Sequence, residues 1–204
     1  MGKGMFPYPL TPKTVHLCLD MQRIFSPEGP WATPWMERVL PVVTSIASRY
    51  PERTVFTRFL TPRVPTDMPG MWQRYYSRWQ QTTRDRIDPA LLELVSPLAR
   101  LSPPATVIDK SRFSGFAEPQ LLAHLQARDA DGLVITGSET DVCVLGTVLA
   151  AVDIGYRVII VRNAPGNYPG CRKRFPYAAF ESWCRRRHGG HRTALLRAPL
   201  SLSS

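Results

Sequence analysis

A cysteine, an aspartate and a lysine stand where a chain of this pattern would gather reactive groups. Cys143 ends the run Gly137-Ser138-Glu139-Thr140-Asp141-Val142-Cys143, after a strand-like apolar stretch and at the start of a helix-like one. A thiol in the first turn of a helix faces free backbone amides and the positive end of the helix dipole, which favour a thiolate. The same amides can hold a developing oxyanion. Asp20 closes the apolar run Val15-His16-Leu17-Cys18-Leu19, and Lys110 follows the run Ala105 to Asp109. An acid beside a thiol takes its proton, and a lysine beside both steadies the anions. The three therefore supply nucleophile, base and electrostatic partner. Taken singly, each also fits a plainer role. Cys143 fits a small buried hydrophobe at a crowded turn, Asp20 a cap after a strand, and Lys110 a solvated surface lysine.

The elements that must position these residues alternate along the chain. Strands are expected at Val15–Asp20, Thr54–Phe59, Ala105–Asp109, Gly132–Thr136 and Arg157–Val161. Helices are expected over 34–50, with Pro41 as a kink, and over 90–101, 118–128 and 141–155, the last stopped by Gly155. Such alternation predicts a parallel sheet with helices on both faces, with ligands bound at the carboxyl ends of its strands. Asp20, Lys110 and Cys143 all fall at such ends. Residues 60–88 carry Trp72, Tyr75, Tyr76 and Trp79 among prolines and arginines. They read as a long excursion, and ordered excursions of that length usually serve function.

Composition bounds the answer. The chain has 204 residues, 44% of them hydrophobic, and no run of eighteen apolar residues. That suits one α/β domain and gives no membrane span. The net charge of +10 is uneven: residues 1–162 hold 18 basic against 15 acidic side chains, and residues 163–204 hold 8 against 1. The body is therefore not a uniformly basic nucleic-acid binder, and the Arg185–Arg187 run reads as solvated charge. Four irregularly spaced cysteines and no signal-like N-terminus point to the cytoplasm. Cys171, Cys184, His188 and His191 match no common zinc-finger spacing.

The segments "HLCLDMQRIF", "VIDKSRFSGF" and "VITGSETDVCVLGTVLAAVDIGYRVIIV" resemble, in order, the isochorismatase-like cysteine hydrolases. That family includes nicotinamidases and N-carbamoylsarcosine amidohydrolases. The resemblance spans roughly residues 14–162. It implies a Rossmann-like three-layer α/β/α sandwich with a central parallel sheet of about six strands. It implies a catalytic triad of Asp20, Lys110 and Cys143. It also implies a cis Ser138–Glu139 bond, with the Glu139 and Cys143 amides as oxyanion hole. Gln22 and Phe25 map to the family's pocket, and Arg58 and Trp72 are further candidates for it.

Two features depart from the family. Thr57-Arg58-Phe59 stands where nicotinamidases carry an Asp-x-His metal motif, so no zinc or iron site and no organic cofactor is expected. Residues 163–204 form an atypical Arg-rich end to a single domain, expected to be poorer in regular elements and to leave the last sheet edge poorly covered. The expected activity is hydrolysis of an amide-like C–N bond of a small molecule through a cysteine thioester, by a homo-oligomer. Vinyl-ether hydrolysis, which does not need the thiol, and a non-catalytic binding protein with a basic tail are the alternatives.

Overall fold

The computed structural model describes the backbone of residues 10–166 and 193–196 and the side chains of residues 10–161. Strand β1 (Thr14–Leu19), helix α1 (Met36–Arg49), strand β2 (Thr54–Phe59), helix α2 (Met71–Arg78) and a four-residue turn α3 (Ser96–Ala99) come first. Then follow β3 (Thr106–Lys110), α4 (Pro119–Ala127), β4 (Gly132–Ser138), a wide π-helical turn (Thr140–Val144) running into α5 (Leu145–Ile154), β5 (Arg157–Gly166) and β6 (Thr193–Leu196). The six strands form one parallel sheet in the order β3-β2-β1-β4-β5-β6. The order reverses between β1 and β4, and the crevice at such a switch point is where open α/β sheets bind ligands.

The central strands are apolar runs because both their faces are covered. Cys18, Phe56, Val134, Ile159 and Val161 pack on Met36, Val39, Val43 and Ala47 of α1. On the other face Leu17, Leu19, Val55, Leu133, Ile135 and Ile160 pack on Leu121 and Leu125 of α4 and on Val148 and Ala151 of α5. His16 is a polar residue in the middle of β1, and the Thr54 and Thr136 hydroxyls meet its ring at 3.2 and 2.8 Å. Helix α1 runs through Pro41. The bond Pro41 cannot donate leaves the Glu37 carbonyl on the solvent face, where both residues are exposed.

Three expectations are revised. Residues 60–88 are not irregular throughout, since Met71–Arg78 is a helix. Residues 90–101 are not one helix. Pro89–Leu92 and Ser96–Ala99 are short turns separated by an extended piece, in which Arg23 N–H donates to Glu93 O at 2.9 Å and Val95 N–H to Met21 O at 3.0 Å. Pro97 falls in the first turn of Ser96–Ala99, where its missing N–H costs nothing. The last edge is not left open either: Thr193–Leu196 pairs with Val158–Val161 as the sixth strand. The Phe175–Trp183 stretch and the Cys171, Cys184, His188 and His191 set lie outside the described residues. Among those described, no helix is long and apolar enough to cross a membrane.

Candidate active site

Asp20 sits one residue past β1, in the left-handed region at φ 53°, which a short polar side chain tolerates. Its amide donates to the Thr57 carbonyl and to Thr57 Oγ1, both at 3.2 Å, and Thr57 Oγ1 donates back to Asp20 Oδ1 at 2.7 Å. The carboxylate is thus locked to the end of β2. Lys110 ends β3. Its ammonium donates to the Arg112 carbonyl at 2.9 Å, to the Phe113 carbonyl at 3.1 Å and to Cys143 Sγ at 3.6 Å. Asp20 Oδ2 lies 2.7 Å from the same nitrogen, with both side chains wholly buried. A carboxylate oxygen carries two lone pairs, so beside this ion pair Oδ2 can still take another proton. The Phe59 ring lies 5.0 Å from Lys110 Nζ.

Cys143 enters on the π-helical turn after β4 and is 6% exposed. Two features bring it there. Gly137, at φ 115°, lets β4 turn where any Cβ would lie 2.1 Å from the Leu19 carbonyl oxygen, so only glycine fits. Thr147 Oγ1 donates to the Cys143 carbonyl at 2.7 Å and accepts from Gly115 N–H at 2.9 Å, tying α5 to the loop after Lys110. The Ser138–Glu139 peptide is cis.

The charges are set by burial and by one another. Burial opposes the Lys110 charge, but Asp20 and Cys143 outweigh it and raise its pKa, so the ammonium persists. Burial, then the Asp20 charge, pushes the Cys143 thiol well above its ordinary 9.0, against the pull of Lys110. The thiolate expected from the helix dipole is therefore not the resting form. Glu139 is pushed up to about 7 by burial, then by Asp141 and Asp20.

The remaining candidates divide. Phe25 stacks on Trp31 at 6.0 Å, and Trp31 meets Phe59 at 6.2 Å, so Phe25 backs the ring beside Lys110. Trp72 stacks on Tyr76 at 6.1 Å and tilts on Phe113 at 5.1 Å, next to the carbonyl that holds Lys110. Gln22 is buried with its amide already engaged, donating to the Phe59 and Leu92 carbonyls at 3.1 and 2.6 Å and accepting from Phe59 N–H at 2.7 Å. It braces the wall. Arg58 is a correction: side chains alternate along β2, so it points away from the face shared by Thr57, Phe59 and Lys110. There Asp109 (2.7 and 3.0 Å) and Glu93 (2.7 and 2.8 Å) bind it. Among the described residues, no group of three His, Cys, Asp or Glu side chains is placed to hold a metal ion. The donors around Cys143, an ammonium already paired with its carboxylate, do not suit one. Thr57, Phe59, Tyr76 and Thr147 carry contacts that residue type alone does not announce. Thr57 and Phe59, alternating at the end of a strand, and Tyr76, in the spaced aromatics of 72–79, leave a signal in the sequence.

Solved structures share this architecture. A cysteine hydrolase from Pseudomonas syringae pv. phaseolicola 1448A is 23% identical with a TM-score of 0.73, over 97% of this chain and 94% of that one. A pyrazinamidase from Pyrococcus horikoshii, solved with zinc, is 23% identical at 0.70, over 92% and 100%. An N-carbamoylsarcosine amidase from Thermoplasma acidophilum is 20% identical at 0.68, over 90% and 95%. No curated protein matches the chain. The isochorismatase-domain family model matches residues 14–183, and on that match the chain belongs to the isochorismatase family of hydrolases.

Proposed function

We propose that this protein hydrolyses an amide-like C–N bond of a small molecule through a cysteine thioester, with Cys143 as nucleophile, Asp20 as base and acid, and Lys110 as fixed cation. The observation that carries this reading is the buried cluster itself, with Lys110 Nζ 2.7 Å from Asp20 and 3.6 Å from Cys143 Sγ. The amidase and the pyrazinamidase of like fold support an amide as substrate class.

A resting thiol cannot attack unaided. As Sγ bonds to the carbonyl carbon, its proton passes to Asp20 and the carbonyl π pair moves onto oxygen. The Glu139 and Cys143 amides receive that oxyanion. Its collapse breaks the C–N bond, and the amine or ammonia leaves with the proton from Asp20. Water then gives its proton to Asp20 and attacks the thioester. The acid departs, and Cys143 recovers its proton. No organic cofactor enters these steps, and the working unit is proposed as a homo-oligomer, to be checked by light scattering.

Ammonia release from a panel of small carboxamides tests the reading, together with acid-quenched mass spectrometry for an acyl adduct on Cys143. The wild type is expected to turn over at least one amide. Cys143→Ala is expected to lose roughly a thousandfold or more. Undiminished turnover in that variant would overturn the thioester route and favour chemistry that needs no thiol.

A further inference from the structure

One cation beside the site has no anion among the described residues. Arg112 follows Lys110 by two residues and supplies one of the carbonyls that hold its ammonium. Its guanidinium Nη1 donates to the Ser111 carbonyl and Ser111 Oγ, both at 3.1 Å, and to Met68 Sδ at 3.6 Å. Among the described residues it forms no ion pair, unlike Arg58, Lys110 and Arg63, each matched to a carboxylate. The residues outside those described hold a single acidic side chain, Glu181.

A second polar group beside it also lacks a partner. Tyr76 is wholly buried, and its hydroxyl has no hydrogen bond among the described residues. An orphaned buried hydroxyl is costly, and native structures rarely keep one without reason. Trp72 joins the two groups, with its ring stacked on Tyr76 at 6.1 Å and Arg112 Cζ 6.0 Å from its centroid. Burial first, then Tyr75 and Cys143, raise the Tyr76 pKa against the pull of Arg112. The hydroxyl thus stays a donor, within electrostatic reach of both the thiol and the guanidinium.

A half-buried cation and a buried O–H donor, set about one aromatic ring beside a thiol nucleophile, are complementary to an anionic acceptor. We infer that Arg112 and the Tyr76 hydroxyl bind a carboxylate of the substrate while Trp72 and Phe113 flank its body, so that the amide hydrolysed is one carrying an acid group. This rests on the hydrolase reading for the amide and on Arg112, Tyr76 and Trp72 for the acid. Arg58, the arginine that the sequence offers for the pocket, is already bound by two carboxylates.

Binding to Cys143→Ala, which keeps this subsite intact, separates recognition from turnover. Calorimetry would compare succinamate with butanamide, and 3-carbamoylbenzoate with benzamide, pairs differing in one carboxylate. Charge-assisted hydrogen bonds are strong enough that the acid of at least one pair should bind roughly tenfold or more tighter. Arg112→Gln should abolish that preference, Arg112→Lys restore part of it, and Tyr76→Phe reduce it, with melting curves verifying each fold. Equal binding within both pairs, no binding at all, or a preference that survives Arg112→Gln would each overturn the inference. Binding with the expected preference but no turnover by the wild type would sink the hydrolase reading and leave the subsite standing.

Discussion

Cys143 rests as a thiol because its two charged neighbours act in opposite directions and burial tips the balance. Its alkylation by iodoacetamide is therefore expected to keep accelerating as pH rises past 9.0, where an ordinary thiol levels off. A plateau near neutral pH, read by mass spectrometry, would show a resting thiolate. Lys110→Met removes one partner of the buried pair, and stranding a buried charge costs about 3–5 kcal/mol. Urea denaturation should show that loss, together with loss of activity. Glu139 adds a pH term of its own. Its folded pKa of about 7 stands above the ordinary 4.5. Folding thus favours the protonated form, and the stability that gives is complete below 4.5 and lost as pH rises through about 7. Denaturation midpoints should fall across that window, and Glu139→Gln should flatten the fall.

At the scale of elements, what the sequence discloses depends on where the deciding information lies. The strands are legible because they are short, largely apolar and β-branched runs, and β1, β3 and β4 lead straight into Asp20, Lys110 and the Glu139–Cys143 turn. Helix α2 is present in the sequence but obscured. Trp72, Tyr75, Tyr76 and Trp79 stand at i, i+3, i+4 and i+7, the helical stripe, among prolines and arginines that suggest a loop. The break at Glu93–Val95 cannot be read locally, because its cause is pairing with Met21 and Arg23, some seventy residues away in the chain. The role of Arg58 is hidden for the same reason: strand alternation gives its face, but only the β2–β3 register brings Asp109 beside it. In β1, His16 is held neutral by burial, its pKa lowered from 6.5 to about 3. Its contribution to stability is present above pH 6.5 and lost as pH falls towards about 3. His16→Gln should blunt acid unfolding over that range, measured by circular dichroism. Gly137→Ala meets the Leu19 backbone and a positive φ at once. The φ strain alone costs about 1–3 kcal/mol, and the variant should lose both stability and turnover.

For the molecule as a whole, the open question is how firmly its last strand is held. β6 has four residues, one neighbour and an edge position, joined to β5 by 26 residues between Gly166 and Thr193. A parallel neighbour needs such a crossover, and closing it costs entropy that four ladder positions must offset. Electrostatics adds to the difficulty. Residues 163–204 carry 8 basic side chains against 1 acidic, and residues 1–162, which supply the strand that β6 pairs with, are themselves net positive, with 18 against 15. Like charges at docking distance repel, and salt screens them, the Debye length falling from about 30 Å at 0.01 M to about 3 Å at 1 M. Without β6, the apolar run Val158–Val161 would present unpaired backbone along a sheet edge, a template for aggregation. Two results should therefore appear together in native-state hydrogen exchange. Thr193–Leu196 should exchange faster than Leu133–Ile135 in the middle of the sheet, and raising sodium chloride from 0.01 to 1 M should slow the former while leaving the latter nearly unchanged. If the two strands exchange equally slowly at both salt concentrations, β6 is as integral as β4, and charge plays no part in holding it.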